Sequence, residues 1–116
     1  MSVIIYHNPQ CSKSRQTLEL LAEHGITPTI IEYLENPPSA EELKKILTQL
    51  GIAPRNLMRK KEAIYTEYKL GNPSLSDDDL INFMVQYPIL IERPIVLANG
   101  KAVIGRPPAQ VLEILA

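Results

Sequence analysis

The 116-residue sequence predicts an α/β fold: a mixed four-stranded sheet with helices on both faces and a helical insertion at about residues 54–87, ahead of a C-terminal hairpin. Three observations carry this expectation. The chain opens with a strand–helix–strand pattern, and two strands joined through a helix must lie parallel. Near its end, Asn99-Gly100 separates two apolar runs, the strongest short signal for a type I′ hairpin of antiparallel strands. Between these regions the apolar residues keep helical spacing.

Each element has its own signal. Residues 3–6 form a short apolar run that ends at the turn-forming His7-Asn8-Pro9 and read as a strand. From Ser12, Leu18, Leu21 and Ala22 share one helix face, and Gly25 stands where that helix should stop. Residues 29–34 are rich in β-branched and apolar side chains and read as a second strand. Ser39-Ala40-Glu41-Glu42 is a capping box for a helix whose stripe is Leu43, Ile46, Leu47 and Leu50, ended by Gly51. The insertion is interrupted at Gly71-Asn72-Pro73 and restarts at Ser76-Asp77-Asp78-Asp79, where acidic residues suit the positive end of a helix dipole. Strands are expected at residues 95–98 and 101–104, and Val111, Leu112 and Leu115 predict a closing helix after Pro107-Pro108. This order resembles the layout of a thioredoxin or glutaredoxin domain with extra helices before the hairpin.

Composition narrows the function classes. The length suits one domain, 1–116, and 45% apolar with 22% charged residues are globular proportions. The longest apolar runs are only a few residues, too short to span a membrane, and residues 1–6 lack the pattern of a signal peptide. A cytoplasmic location is therefore expected, with no membrane partner. A net charge of −1 argues against general nucleic-acid binding, which needs a basic surplus. The single cysteine rules out an internal disulfide and a multi-cysteine zinc site, and no metal is expected.

A lone cysteine in a reducing compartment is either a small buried hydrophobe or a reactive thiol, and its position decides. Cys11 lies between the first strand and first helix, where unpaired backbone N–H groups and the helix dipole favour an anion such as thiolate. His7, Lys13 and Arg15 would push the same way if they faced the sulfur. Ser14 makes Cys11-Ser12-Lys13-Ser14 a C-x-x-S counterpart of the redox C-x-x-C, so an external thiol must resolve any mixed disulfide. The Ser14 hydroxyl could donate to the sulfur. Arg93 and Arg106 flank the hairpin, each directly before a proline, and Arg59 sits in the insertion. Guanidinium forks match tetrahedral oxyanions, although any one arginine taken alone is more often a solvated surface residue.

Together these segments resemble the ArsC-type, glutaredoxin-linked arsenate reductases. The stretch from Tyr6-His7-Asn8-Pro9-Gln10-Cys11 to Ser12-Lys13-Ser14-Arg15 is similar to that family's signature. Leu57-Met58-Arg59-Lys60-Lys61, Ile91-Glu92-Arg93-Pro94-Ile95-Val96 and Gly105-Arg106-Pro107 resemble its further motifs, in order along essentially the whole chain. The resemblance implies that Cys11 attacks arsenate, that Arg59, Arg93 and Arg106 bind the oxyanion, and that His7, Ser14 and Arg15 support the thiolate. Pro94 falls where thioredoxin-like folds place a cis proline beside the active site. The implied partners are arsenate, glutathione as co-substrate and glutaredoxin, with no bound cofactor. The best-known members carry a longer C-terminal tail, whereas this chain ends at Ala116, and Ser12-Lys13 follows a chromosomal-type subgroup.

Two other readings share these features. One is an Spx-like transcription regulator that binds RNA polymerase; that group often uses a C-x-x-C switch, which Ser14 removes. The other is a general glutathione-dependent thiol reductase whose arginines hold glutathione carboxylates. Other candidates have simpler explanations. His24 precedes Gly25 at a helix end and suits the dipole there; Asp77, Asp78 and Asp79 suit a helix start; Lys44-Lys45 and Lys60-Lys61 suit solvated faces; Tyr65 and Tyr68 suit helix packing.

Overall fold

The first strand, β1 (Val3–His7), is nearly all buried, as befits an inner strand. A computed structural model of the chain describes residues 2–115. From β1 the chain enters α1 (Ser12–Glu23) and returns as β2 (Thr29–Glu32), which runs parallel to β1 with Ile5 opposite Ile30. β3 (Ile95–Ala98) lies antiparallel on the other side of β1, with Tyr6 opposite Ile95, and β4 (Lys101–Ile104) pairs antiparallel with β3. The result is a mixed four-stranded sheet in the order β2-β1-β3-β4. Asn99 (φ 56°) and Gly100 (φ 73°) supply the two positive dihedrals that a type I′ turn requires. α1 closes on Gly25 (φ 73°) with the Ile26 N–H bonded to the Leu21 carbonyl, the Schellman pattern. His24 turns Nδ1 to the Leu20 carbonyl at 3.0 Å. Val3, Ile5, Leu21, Val96, Ala98, Val111 and Ile114 form the core of this sheet unit, which comprises the described residues up to Asn36 and from Arg93 onward.

A second compact unit, Pro37–Glu92, is helical. α2 (Ala40–Leu50) has the expected capping box, Ser39 Oγ accepting from Glu42 N–H and Glu42 accepting from Ser39 N–H. α3 (Pro54–Leu57) and α4 (Ala63–Glu67) are short, and α5 (Asp77–Gln86) opens on a Ser76–Asp79 capping box. α2 packs on α5 within this unit. Tyr68 is 44% exposed and partners the Tyr87 hydroxyl at 2.9 Å, beside the Phe83 ring. Among the described residues no helix is long and apolar enough to cross a membrane.

The structure departs from the sequence expectation in three places. β2 ends at Glu32 rather than at residue 34, because the N–H groups of Glu35 and Asn36 both turn back to the Glu32 carbonyl. The insertion is also broken at residues 58–62, where Met58 bridges Ile91 and Arg59 N–H donates to the Leu90 carbonyl at 2.7 Å. The closing helix, Pro108–Ile114, is 3₁₀ rather than α. Val111 and Ile114, three apart, point inward as a 3₁₀ repeat demands, and Leu112 is left 37% exposed.

Candidate active site

Cys11 is placed by the loop that carries the chain out of β1. Asn8 organises it: its carbonyl accepts from Cys11 N–H at 3.0 Å and its Oδ1 from Gln10 N–H at 2.9 Å. Cys11 is then the N-cap residue of α1, its backbone extended and its carbonyl accepting the first helical bond, from Arg15 N–H. The N–H groups of Lys13 and Ser14 in the first turn help to lower the thiol pKa, although the Cys11 side chain makes no cap hydrogen bond. The residue is 8% exposed.

Sheet topology brings two arginines to the same place. β3 neighbours β1, and antiparallel pairing sets the start of β3 beside the end of β4, with Gly105 N–H donating to the Pro94 carbonyl at 2.9 Å. Arg93 precedes that start and Arg106 follows that end. The Arg106 guanidinium lies 3.8 Å from Cys11 Sγ and donates to the Arg93 carbonyl at 3.3 Å. Burial pushes the Cys11 thiol up, but the Arg93 guanidinium and the N–H groups of Ser14 and Lys13 outweigh it, leaving the thiol pKa below its ordinary value. The peptide bonds Arg93–Pro94 and Arg106–Pro107 are both cis, the second without a signal in the sequence. A thiolate held between a helix start and two guanidinium groups can attack an electrophilic centre whose oxygens those guanidinium groups hold.

The ArsC family model matches residues 6–114. This chain belongs to the ArsC family. It is 57% identical over 114 residues to the Escherichia coli K12 protein YfgD, spanning 97% of this chain and 96% of that one. It is 49% identical to an arsenate reductase of Neisseria meningitidis serogroup A, covering 96% of both chains. Among solved structures, it is similar to an arsenate reductase from Vibrio cholerae with 59% identity and a TM-score of 0.97, over 99% of this chain and 98% of that one.

Within this ArsC chain the supporting residues act less directly than the sequence suggests. The Ser14 hydroxyl faces His7 Nδ1 at 2.6 Å and accepts from Asn8 N–H at 3.1 Å, so it is turned to the loop and not to the sulfur. Burial holds the His7 imidazole below its ordinary pKa, with Glu32 opposing and Arg15 reinforcing that shift. His7 therefore braces Ser14 as a neutral ring near pH 7 instead of supplying a cation. Arg15 donates to the Pro9 carbonyl at 2.9 Å and stiffens the loop. Arg59, in the helical unit, bonds Glu62 at 3.1 Å and Glu92 at 2.8 Å. Burial alone would lower its pKa, and the two carboxylates raise it instead. Asn8, which the sequence marks only as a turn former, is buried and holds the Cys11 loop.

Proposed function

We propose that this chain is an arsenate reductase in which Cys11 is the nucleophile and glutathione with glutaredoxin supplies the electrons. One observation carries the reading: the Cys11 sulfur sits at the start of α1 with the Arg93 and Arg106 guanidinium groups beside it. Relatives named arsenate reductase across nearly their whole length support the substrate. Arsenate is a tetrahedral oxyanion, and paired N–H donors of fixed charge suit it. The motif resemblance assigns Arg59 to the same anion.

The proposed reaction begins with the Cys11 thiolate attacking arsenic: an S–As bond forms, the As–O bond to one hydroxyl breaks, and that oxygen takes a proton from solvent and leaves as water. The arginines offset the charge on the remaining oxygens. A glutathione thiolate then attacks Cys11 Sγ, the S–As bond breaks, and its electron pair leaves with arsenic as arsenite. Arsenic(V) gains two electrons, and the two sulfurs lose them in forming one disulfide. Glutaredoxin removes the glutathione by thiol–disulfide exchange, since the single cysteine offers no internal resolving thiol. These thiol donors belong to a reducing cytoplasm.

The test is arsenate-dependent NADPH oxidation in an assay coupled through glutathione, glutaredoxin and glutathione reductase. Turnover is expected with the intact chain and at background with Cys11→Ser, because a serine hydroxyl is far less nucleophilic at neutral pH. No arsenate-dependent oxidation while the coupling enzymes reduce a control disulfide would overturn the reading, as would full activity with thioredoxin alone.

A further inference from the structure

Gly105 is a glycine for want of space. Gly25, Gly51 and Gly100 have positive φ and nothing within 4 Å of where a Cβ would stand, whereas Gly105 is not among the positive-φ residues. A Cβ built on Gly105 would lie 2.7 Å from Thr17 Oγ1, 3.2 Å from Thr17 Cγ2 and 2.9 Å from Pro94 Cγ, distances that real side chains do not tolerate without movement. Thr17 is fully buried on α1. Its hydroxyl donates to the Lys13 carbonyl at 2.8 Å and lies 3.5 Å from the Gly105 carbonyl. Gly105 N–H in turn holds the Pro94 carbonyl at 2.9 Å.

These three residues adjoin the segments that carry Cys11, Arg93 and Arg106. Thr17 is one turn along α1 from Lys13 and Ser14, in the turn that begins at Cys11. Pro94 directly follows Arg93, and Gly105 directly precedes Arg106. Long side chains hide small backbone displacements, but a guanidinium 3.8 Å from a sulfur is already at the limit of a useful contact.

We propose that the Thr17–Gly105–Pro94 contact is a spacer that sets how closely Arg93 and Arg106 approach Cys11, making Thr17 and Gly105 positioning residues for an oxyanion held at the thiolate. The inference rests on the arsenate-reductase reading only for the identity of that anion. A methyl group at position 105 wedges α1 and the β3 start away from the β4 end, and the two guanidinium groups retreat with them. The sulfur loses cationic support and the anion loses donors together, although neither substituted residue touches the anion.

The experiment compares the intact chain, Gly105→Ala, Thr17→Ala with Gly105→Ala, and Thr17→Ser. Two readouts need no turnover: the pH inflection of Cys11 alkylation by iodoacetamide, and the arsenate concentration that half-protects Cys11 from alkylation. Gly105→Ala should move the inflection upward and raise the half-protecting concentration about tenfold, the low end for one lost charge-assisted contact. The double variant removes the two Thr17 contacts and should recover part of both. A folded Gly105→Ala chain with unchanged inflection and protection would overturn the spacer. If Gly105→Ala does not fold, Thr17→Ser decides: it keeps the hydroxyl and removes the Cγ2 methyl, so a shift in protection supports the proposal and no shift overturns it. Absence of arsenate protection in the intact chain would count against the arsenate-reductase reading, leaving the inflection to judge the spacer.

Discussion

Arg106 and Arg59 are chemically identical side chains kept in opposite company. In the sheet unit, Arg106 and its neighbour Arg93 lie beside a sulfur that they help to ionise. In the helical unit, Arg59 is held by two carboxylates, Glu62 and Glu92, at hydrogen-bonding distance. Two carboxylates offset the Arg59 charge, and an incoming anion would have to compete with them for its N–H groups. The two positions thus differ in the groups that the fold places beside the guanidinium. Charge alone does not separate them.

The largest effects should come from the arginines. Arg93→Ala and Arg106→Ala should each lower arsenate turnover about ten- to a hundredfold, the cost of one or more charge-assisted contacts. Lysine should rescue poorly at either position, because a point charge cannot reproduce a fork. Arg59→Ala should cost less activity, with its clearer signature a stability loss of about 1 kcal/mol from the two partly buried ion pairs. Steady-state kinetics and denaturant midpoints on the same three variants measure both. Equal activity losses at all three would break the comparison and show that Glu62 and Glu92 release Arg59 when arsenate binds.

The next effects are pH-dependent and have the same sign for two residues. Cys11 has a lowered pKa in the folded chain, while the unfolded thiol titrates near about 8.5. Its stability contribution is present in full above the unfolded value and is lost as pH falls through the folded one. His7 is also lowered, and its unfolded value is about 6.5. Below that the unfolded chain binds the proton more readily, so stability should decline as pH falls from there through the folded His7 pKa. Denaturant midpoints against pH for the intact chain and for His7→Gln should separate the two: the variant should lose the acidic decline and keep the alkaline dependence. An acidic decline unchanged by His7→Gln would show that other groups cause it.

The smallest expected effect lies far from the chemistry. Ser39→Ala should cost about 1 kcal/mol through loss of the α2 cap, measured by denaturant midpoint, with no change in Cys11 alkylation. A change in the thiol would show the helical unit tuning the site.

Much of this architecture is local and therefore legible in the sequence. Asn99-Gly100 specifies its own turn because two adjacent positive dihedrals leave few alternatives, and Ser39 to Glu42 cap a helix within one turn. Cys11 at a helix start needs only the strand–turn–helix order. What eluded the sequence depends on distant partners. Residues 58–62 leave helix because Met58 and Arg59 pair with Ile91 and Leu90, and nothing nearby in the chain announces it. The closing segment fits α-helical spacing at Val111, Leu112 and Leu115, yet packing chose Val111 and Ile114. At the site, hydroxyl and guanidinium groups have several nearby acceptors. Ser14 therefore went to His7 and Arg15 to the Pro9 carbonyl, neither to the sulfur. Gly105 reads as part of a motif, while its reason, a contact with Thr17, spans 88 positions.

In the proposed reaction arsenate reacts at the Cys11 sulfur and an external thiol then resolves the adduct. Intact-protein mass spectrometry after incubation with arsenate and glutathione, with glutaredoxin withheld, tests it most directly. One glutathione is expected on the chain, mapped to Cys11 by peptide mass, forming only when arsenate is present and absent in Cys11→Ser. A chain that stays unmodified in the presence of arsenate, or that takes up glutathione equally without it, would contradict the account.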